Sequence, residues 1–275
     1  MHVNFVAGLP RSGSTLLMNL LAQNPIHHCS PTSGVIDLFG VQLRGWREAE
    51  AFKAQGLDVV KPSVIDAMGG TINGFYKKQL SKGKYCFDKS RGWPQFIEHL
   101  CECLERPVKL IVTVRDVRAI VASMERMFRE RSIDWVYPVG EEFFNSSTAM
   151  GRAQVILRAQ GLVGHPINQL RDLMSRCPDS VHLVPYDKLV SDPIGTLEGI
   201  HEALELPPFD NYDPDNVEQT TVENDSVHGR GGTLHKIRPK VESPENKKPW
   251  MEYFTDQWSK EMAMGYADVH EYWLG

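Results

Sequence analysis

Apolar positions along the chain fall into short continuous runs bounded by turn residues, and these runs alternate with longer stretches of helical period. Residues 2–7 (HVNFVA) read as a buried strand, 8–13 as a tight glycine loop, and 14–23 as an apolar helix stopped by Asn24-Pro25. A second strand is predicted over 84–87, followed by a helix over about 94–104. A third, VKLIVTV at 108–114, runs straight into a helix near 117–129. Residues 145–176 read as mostly helical with a break signalled by Gly161, Gly164 and Pro166. A fourth strand is predicted at 180–184, a helix follows Asp192-Pro193, and an aromatic-rich amphipathic helical region closes the chain over 250–273. Strand and helix alternating in this way predict an α/β fold with a central parallel sheet flanked by helices.

With 275 residues, one large α/β domain or two small ones are open. Hydrophobic residues at 41% and charged residues at 24% are ordinary globular usage, which excludes a fibrous, disordered or membrane-embedded chain. The formal charge of −5 gives no overall attraction to polyanions, so no nucleic-acid partner is expected and any anion site must be local. That total conceals a reversal of sign. Residues 205–225 carry seven acidic groups and no basic one, which predicts a solvated loop, whereas 228–248 carry six Lys/Arg against two Glu. Five scattered cysteines (29, 86, 101, 103, 177) with no C-x-x-C pair encode neither a disulfide framework nor a zinc ribbon. No H-E-x-x-H or Cys/His cluster is present, so no metal is expected. The N-terminus lacks a charged segment followed by a long apolar one, which predicts a cytoplasmic protein with no membrane partner.

Candidate chemistry begins in the first loop. Gly8-Leu9-Pro10-Arg11-Ser12-Gly13-Ser14-Thr15 has the G-x-x-x-x-G spacing and terminal Thr of a phosphate-binding P-loop, between a strand and a helix. Ser14 stands where the Walker lysine would be, and the cation is Arg11, inside the loop. Backbone N–H groups and the helix N-terminus bind a phosphate or sulfate without that lysine, and an arginine fork grips two oxygens of a tetrahedral anion at once. Chemistry on a γ-phosphate normally adds the lysine and a magnesium ligand. The loop alone leaves open a nucleotide or small-molecule kinase and a non-catalytic nucleotide-binding module.

The segment GLPRSGSTLL resembles the 5′-phosphosulfate loop of the sulfotransferase family, and its look is nearest to the tyrosylprotein and carbohydrate branches. A second segment, VTVRDVRAIVASM at 112–124, is similar to the family's 3′-phosphate motif, placing Arg115 and Ser123 on its arginine and serine. Eight residues of helix leave those two about 80° apart around the axis with a rise of about 12 Å, a span the long arginine and the ligand can share. The resemblance implies a three-layer P-loop-like fold and transfer of a sulfuryl group from 3′-phosphoadenosine 5′-phosphosulfate (PAPS) to a hydroxyl or amine, releasing PAP. It implies 5′-phosphosulfate contacts from Arg11, Ser12, Gly13, Ser14 and Thr15, and 3′-phosphate contacts from Arg115 and Ser123. Weaker similarities imply an adenine contact at Tyr186, in VPYDKLVSDP, and a late cofactor-covering loop, 228–248, that supplies Thr233 and Lys248.

Lys89, ending the predicted strand in YCFDKS, resembles the lysine that the family aims at the leaving group, and it joins Arg11 as a catalytic candidate. The family's glutamate base has no counterpart, because Thr32 occupies its ungapped position. His27, His28, Asp37 and Asp88 are the remaining candidates, with His28 and Asp88 carried forward as the base. Trp46, Phe52, Phe75, Tyr76 and Trp93 are candidates for lining an acceptor pocket. The acceptor expected for an acidic, unanchored chain is a small molecule or carbohydrate. Arg11 and Arg115 must meet on one nucleotide, which favours a single sulfotransferase domain over residues 1–275.

Overall fold

The computed structural model describes residues 2–131, 147–228, 235–243, 245 and 247–274. Its centre is a sheet of five parallel strands, β1 (Val3–Gly8), β2 (His27–Thr32), β3 (Tyr85–Lys89), β4 (Leu110–Val114) and β5 (Val181–Pro185), in the order β2-β3-β1-β4-β5. β1 is central. It pairs with β3 from Val3 opposite Cys86 and with β4 from Phe5 opposite Leu110. Because both its faces are covered, β1 is apolar almost throughout, as the uninterrupted run in the sequence requires.

Side chains alternate across the sheet and feed two cores. Val3, Phe5 and Ala7 join one with Met68, Leu100, Ile120 and Leu170 from the helices Leu57–Phe75, Ile97–Leu104, Val117–Arg131 and Gly164–Arg176. Val6, Phe87 and Ile111 join the other with Leu17, Leu20 and Leu21 of α1 (Ser14–Leu21) and Leu197 and Ile200 of the helix Pro193–Ala203. The result is the three-layer α/β arrangement. The break expected near Gly161 separates the helices Ala149–Leu157 and Gly164–Arg176, and Asp192 caps Pro193–Ala203 by accepting from the Gly195 N–H at 3.0 Å.

Two expectations need correction. The strand β2, HHCSPT, carries no apolar run and contains Pro31; it forms because it is an edge strand with β3 as its one neighbour in the sheet order, and its pairing slips between Cys29 and Thr32. The aromatic candidates for an acceptor pocket do not gather. Trp46, Tyr76 and Trp93 are buried in the first core, Phe52 packs against it, and Phe75 is exposed. Among the described residues, no helix is long and apolar enough to cross a membrane.

Candidate active site

Parallel strands bring the ends of β1, β3 and β4 to one edge of the sheet, and the loop after β1 opens there. Its shape comes from internal bonds. The Leu9 N–H donates to the Thr113 carbonyl (2.9 Å), and the buried Ser12 hydroxyl sits 2.6 Å from both the Leu9 carbonyl and Thr113 Oγ1. Gly8 has no room for a side chain, since a Cβ there would lie 2.1 Å from Thr113 Oγ1. Gly13 adopts φ +88°, in the left-handed region, and no side chain caps the helix it precedes. The first N–H groups of α1 therefore have no intrahelical acceptor and point out of the helix end, which suits an anion. Ser12 thus contributes to loop shape through its hydroxyl, while Gly13, Ser14 and Thr15 present backbone donors at the helix start.

Arg11, at φ 61°, donates from Nε to Ser123 Oγ (3.2 Å), so residues 112 positions apart meet above the loop. Arg115 donates from Nη1 to the main-chain oxygen of Arg11 (2.9 Å), and its guanidinium lies 4.1 Å from the centroid of the Tyr186 ring. Among the described residues Arg115 Nε is buried with no hydrogen-bond partner. Burial pushes the guanidinium's pKa down, opposed by Tyr186 and Asp187, but an arginine remains charged. Asp116 adds a smaller compensation, its carboxylate being engaged by Arg118 at 2.7 Å. Tyr186 packs one ring face on Arg115 and its edge against Gly13.

Lys89 ends β3 with its side chain buried. Its Nζ lies 3.3 Å from Thr15 Oγ1 and 3.3 Å from Glu223 Oε1. Burial lowers the ammonium's pKa, and the Glu223 carboxylate pulls it back up.

Arg11, Gly13, Ser14, Thr15, Arg115, Ser123, Tyr186 and Lys89 all line one cleft of about 1080 Å³. Lys236, Arg238 and Lys240, from the basic stretch, stand on its wall as well. Lys248 is exposed at the start of the short helix Pro249–Glu252; among the described residues the cleft takes Pro249 and Tyr253 from that region instead. Thr233 lies outside the described residues.

Asp88 and His28 are not brought to the cleft. The Asp88 carboxylate faces the opposite side of the sheet from Lys89, wholly buried, and accepts from Tyr76 OH (2.5 Å) and Trp93 Nε1 (2.7 Å). His28 pairs with Cys86 near the start of β2, at the other end of the sheet, and its ring meets Tyr76. Parallel register explains both: the site takes residues from strand ends, and alternation turns Asp88 away.

The acidic stretch also departs from expectation. Glu205, Asp210, Asp213, Asp215 and Glu218 are exposed as a solvated loop should be, but Asp225 is buried and Glu223 nearly so. What draws the stretch inward is Asn19 on α1. Its Oδ1 accepts from the Thr220 and Thr221 N–H groups (2.6 and 3.0 Å), and its Nδ2 donates to Thr221 Oγ1 (2.8 Å). Glu223, Asp225 and His235 were not among the sequence candidates. A polar Asn19 on the buried face of an apolar helix is the one sequence signal that could have pointed to a docked segment, and it went unread.

An open helix start with two arginines converging over it gives this α/β protein a sheet edge chemically suited to a phosphorylated or sulfated anion. The sulfotransferase family profile matches residues 4–211, and the chain belongs to that family. No curated protein sequence matches significantly. Solved structures share the fold at low identity. The sulfotransferase domain from the curacin biosynthetic pathway superposes with TM-score 0.52 at 15% identity, covering 96% of each chain. Mouse sulfotransferase SULT7A1, solved in complex with PAP, gives 0.52 at 11% identity over 98% of this chain and 85% of its own. Sulfotransferase STF9 from Mycobacterium avium gives 0.50 at 16% identity over 98% and 76%.

Proposed function

We propose that the chain transfers a sulfuryl group from PAPS to a hydroxyl or amine of a small-molecule or carbohydrate acceptor, with residues 1–275 acting as one domain. The observation that carries this is the convergence of Arg11, Arg115 and Ser123 beside a helix start with no side-chain cap among the described residues, at a loop that has Ser14 where a kinase keeps its lysine. The solved mouse relative, complexed with PAP, supports the same nucleotide here.

The residues fit such a ligand. The N–H groups at the start of α1 would receive the 5′-phosphosulfate, and Arg115, whose buried Nε has no hydrogen-bond partner among the described residues, would receive the 3′-phosphate with Ser123. Arg11 stands between the two anion positions through its bond to Ser123. PAPS supplies a sulfuryl group on a phosphate leaving group. Lys89, already at Thr15 Oγ1, is placed to stabilise negative charge on that phosphate, and its buried setting strengthens the interaction over what water would allow. Arg11 and the loop amides hold the donor in line for attack.

Differential scanning fluorimetry with PAP against ATP–Mg tests the nucleotide, and conversion of PAPS to PAP across an acceptor panel tests the reaction. Stabilisation by ATP–Mg alone would establish a kinase instead; PAP binding without turnover would establish a non-catalytic binding module.

A further inference from the structure

Thr32 is not vacant of chemistry. Its N–H and its hydroxyl both donate to one carboxylate, Oε2 of Glu223 at 3.3 Å and Oε1 at 3.1 Å. The same Oε1 lies 3.3 Å from Lys89 Nζ and 3.2 Å from His235 Nδ1. His235 is in turn fixed by Asp225, which accepts from its ring at 2.5 Å and from its backbone N–H at 3.2 Å. A carboxylate from the far end of the acidic stretch therefore sits one lysine away from the phosphate loop, at the edge of the cleft that Thr32, Lys89 and His235 line.

We infer that Glu223 is the base that takes the acceptor's proton, an inference that rests on the sulfuryl-transfer reading. Three features argue for it. Surface ion pairs need no scaffold, yet here Asn19, Gln219 and Thr32 all hold the segment that carries Glu223: Asn19 through Thr220 and Thr221, and Gln219 through the carbonyls of Thr221 and His235 and the Ile237 N–H. Among the candidate carboxylates near β2 and β3, Asp88 is committed to Tyr76 and Trp93 and Asp37 is exposed on the helix Val35–Gly45, so neither serves the cleft. Last, Lys89 and Glu223 are each other's counter-charge in the free protein. When Lys89 turns to an anion on the loop, Oε1 loses its cation and becomes a better proton acceptor, while the two hydrogen bonds from Thr32 keep the carboxylate in place.

The step balances. The acceptor oxygen bonds to sulfur as its proton passes to the Glu223 carboxylate; the sulfur–oxygen bond to the 5′-phosphate breaks, and its electron pair leaves on PAP. His235 and Asp225 act as positioning residues.

Glu223→Gln, with Glu223→Asp beside it, tests this in the full-length chain with PAPS as donor. Acceptors are aliphatic alcohols, water and p-nitrophenol, the last already ionised in mildly alkaline buffer; PAP affinity is measured by calorimetry. Expected for E223Q is a loss of about 10²–10³-fold in turnover with alcohols or water, with a much smaller loss for p-nitrophenol, which has no proton to give. PAP affinity should hold or rise, because Lys89 no longer has to leave a carboxylate. E223D should retain part of the alcohol activity, and PAP-induced thermal stabilisation of each variant establishes that it is folded. Unchanged turnover with alcohols, equal losses with alcohols and p-nitrophenol, or a fall in PAP affinity matching the fall in turnover would each overturn the base role. A wild-type chain that binds PAP but consumes no PAPS would overturn it too, whereas a chain that binds no PAP at all would overturn the nucleotide reading itself.

Discussion

Arg115 holds the main-chain oxygen of Arg11 at 2.9 Å, so the end of β4 fixes the tip of the loop that follows β1. In the sulfuryl-transfer reading the contact makes the two proposed anion positions interdependent: Arg115 keeps one arm on the loop, and its Nε has no hydrogen-bond partner among the described residues. Arg115→Ala is expected to weaken PAP binding by about 1.5–3 kcal/mol, the scale of a charge-assisted hydrogen bond. Arg115→Lys should recover little of it, because an ammonium cannot bridge loop and ligand as a fork does. Calorimetric titration with PAP is the measurement, and an affinity equal to wild type would remove Arg115 from the 3′-phosphate site.

Lys89 and Glu223 form a buried pair, with side chains 7% and 11% exposed, and removing one partner strands the other. Lys89→Met should lower unfolding stability by roughly 3–5 kcal/mol, the range found when a buried pair is broken from one side. Glu223→Gln in the K89M background should restore part of that, since no charge is then left unpaired. Urea denaturation of the two single variants, the double variant and wild type gives the coupling energy. Additive effects would show that the pair does not interact in solution.

Asp88 was a candidate base in the sequence and is a structural residue in the fold. Burial pushes its carboxyl's pKa up, opposed by hydrogen bonds from Ser33, Tyr76 and Trp93. Asp88→Ala strands the Tyr76 hydroxyl and the Trp93 indole N–H in the core, at an expected cost of about 2–4 kcal/mol. The PAP affinity of the folded fraction should stay unchanged. Loss of affinity with no loss of stability would return Asp88 to the site.

What the sequence made legible was whatever is local. The loop from Gly8 to Thr15 and the strand-to-helix passage from Arg115 to Ser123 are each written in consecutive residues, so the elements, their order and the parallel sheet could be read directly. Lys89 was legible because a strand end in an α/β sheet faces the ligand edge. β2 was not, since edge pairing tolerates a polar, proline-containing strand. Glu223 was hidden for a different reason. Its position depends on Asn19, more than two hundred residues earlier, and its neighbours Asp215 and Glu218 have the same composition and lie in solvent. Charge density along the chain distinguishes neither kind of acid; only docking onto α1 does.

His27 links the same edge strand to pH. Its Nδ1 donates to the Leu21 carbonyl at 3.0 Å and its ring packs on Phe87 (centroids 4.8 Å apart) and His201 (5.3 Å). Burial lowers its pKa from 6.5 to about 4, with His201 contributing and the Leu21 bond opposing. The unfolded chain therefore binds a proton between pH 6.5 and about 4 that the folded chain does not. The stabilisation is complete above 6.5 and is lost as the pH falls toward 4. At about 1.4 kcal/mol per pH unit, this one group accounts for roughly 1–2 kcal/mol lost between pH 7 and pH 5. His27→Gln removes the titration and can keep the bond to Leu21, so its unfolding free energy should fall by that much less over the same interval. Because His27 begins β2, at the opposite end of the sheet from Thr32 and the cleft, PAP affinity of the folded protein should not change with the substitution. Urea titrations of both proteins at the two pH values decide the matter: equal losses would show that His27 titrates in the folded chain as it does in water.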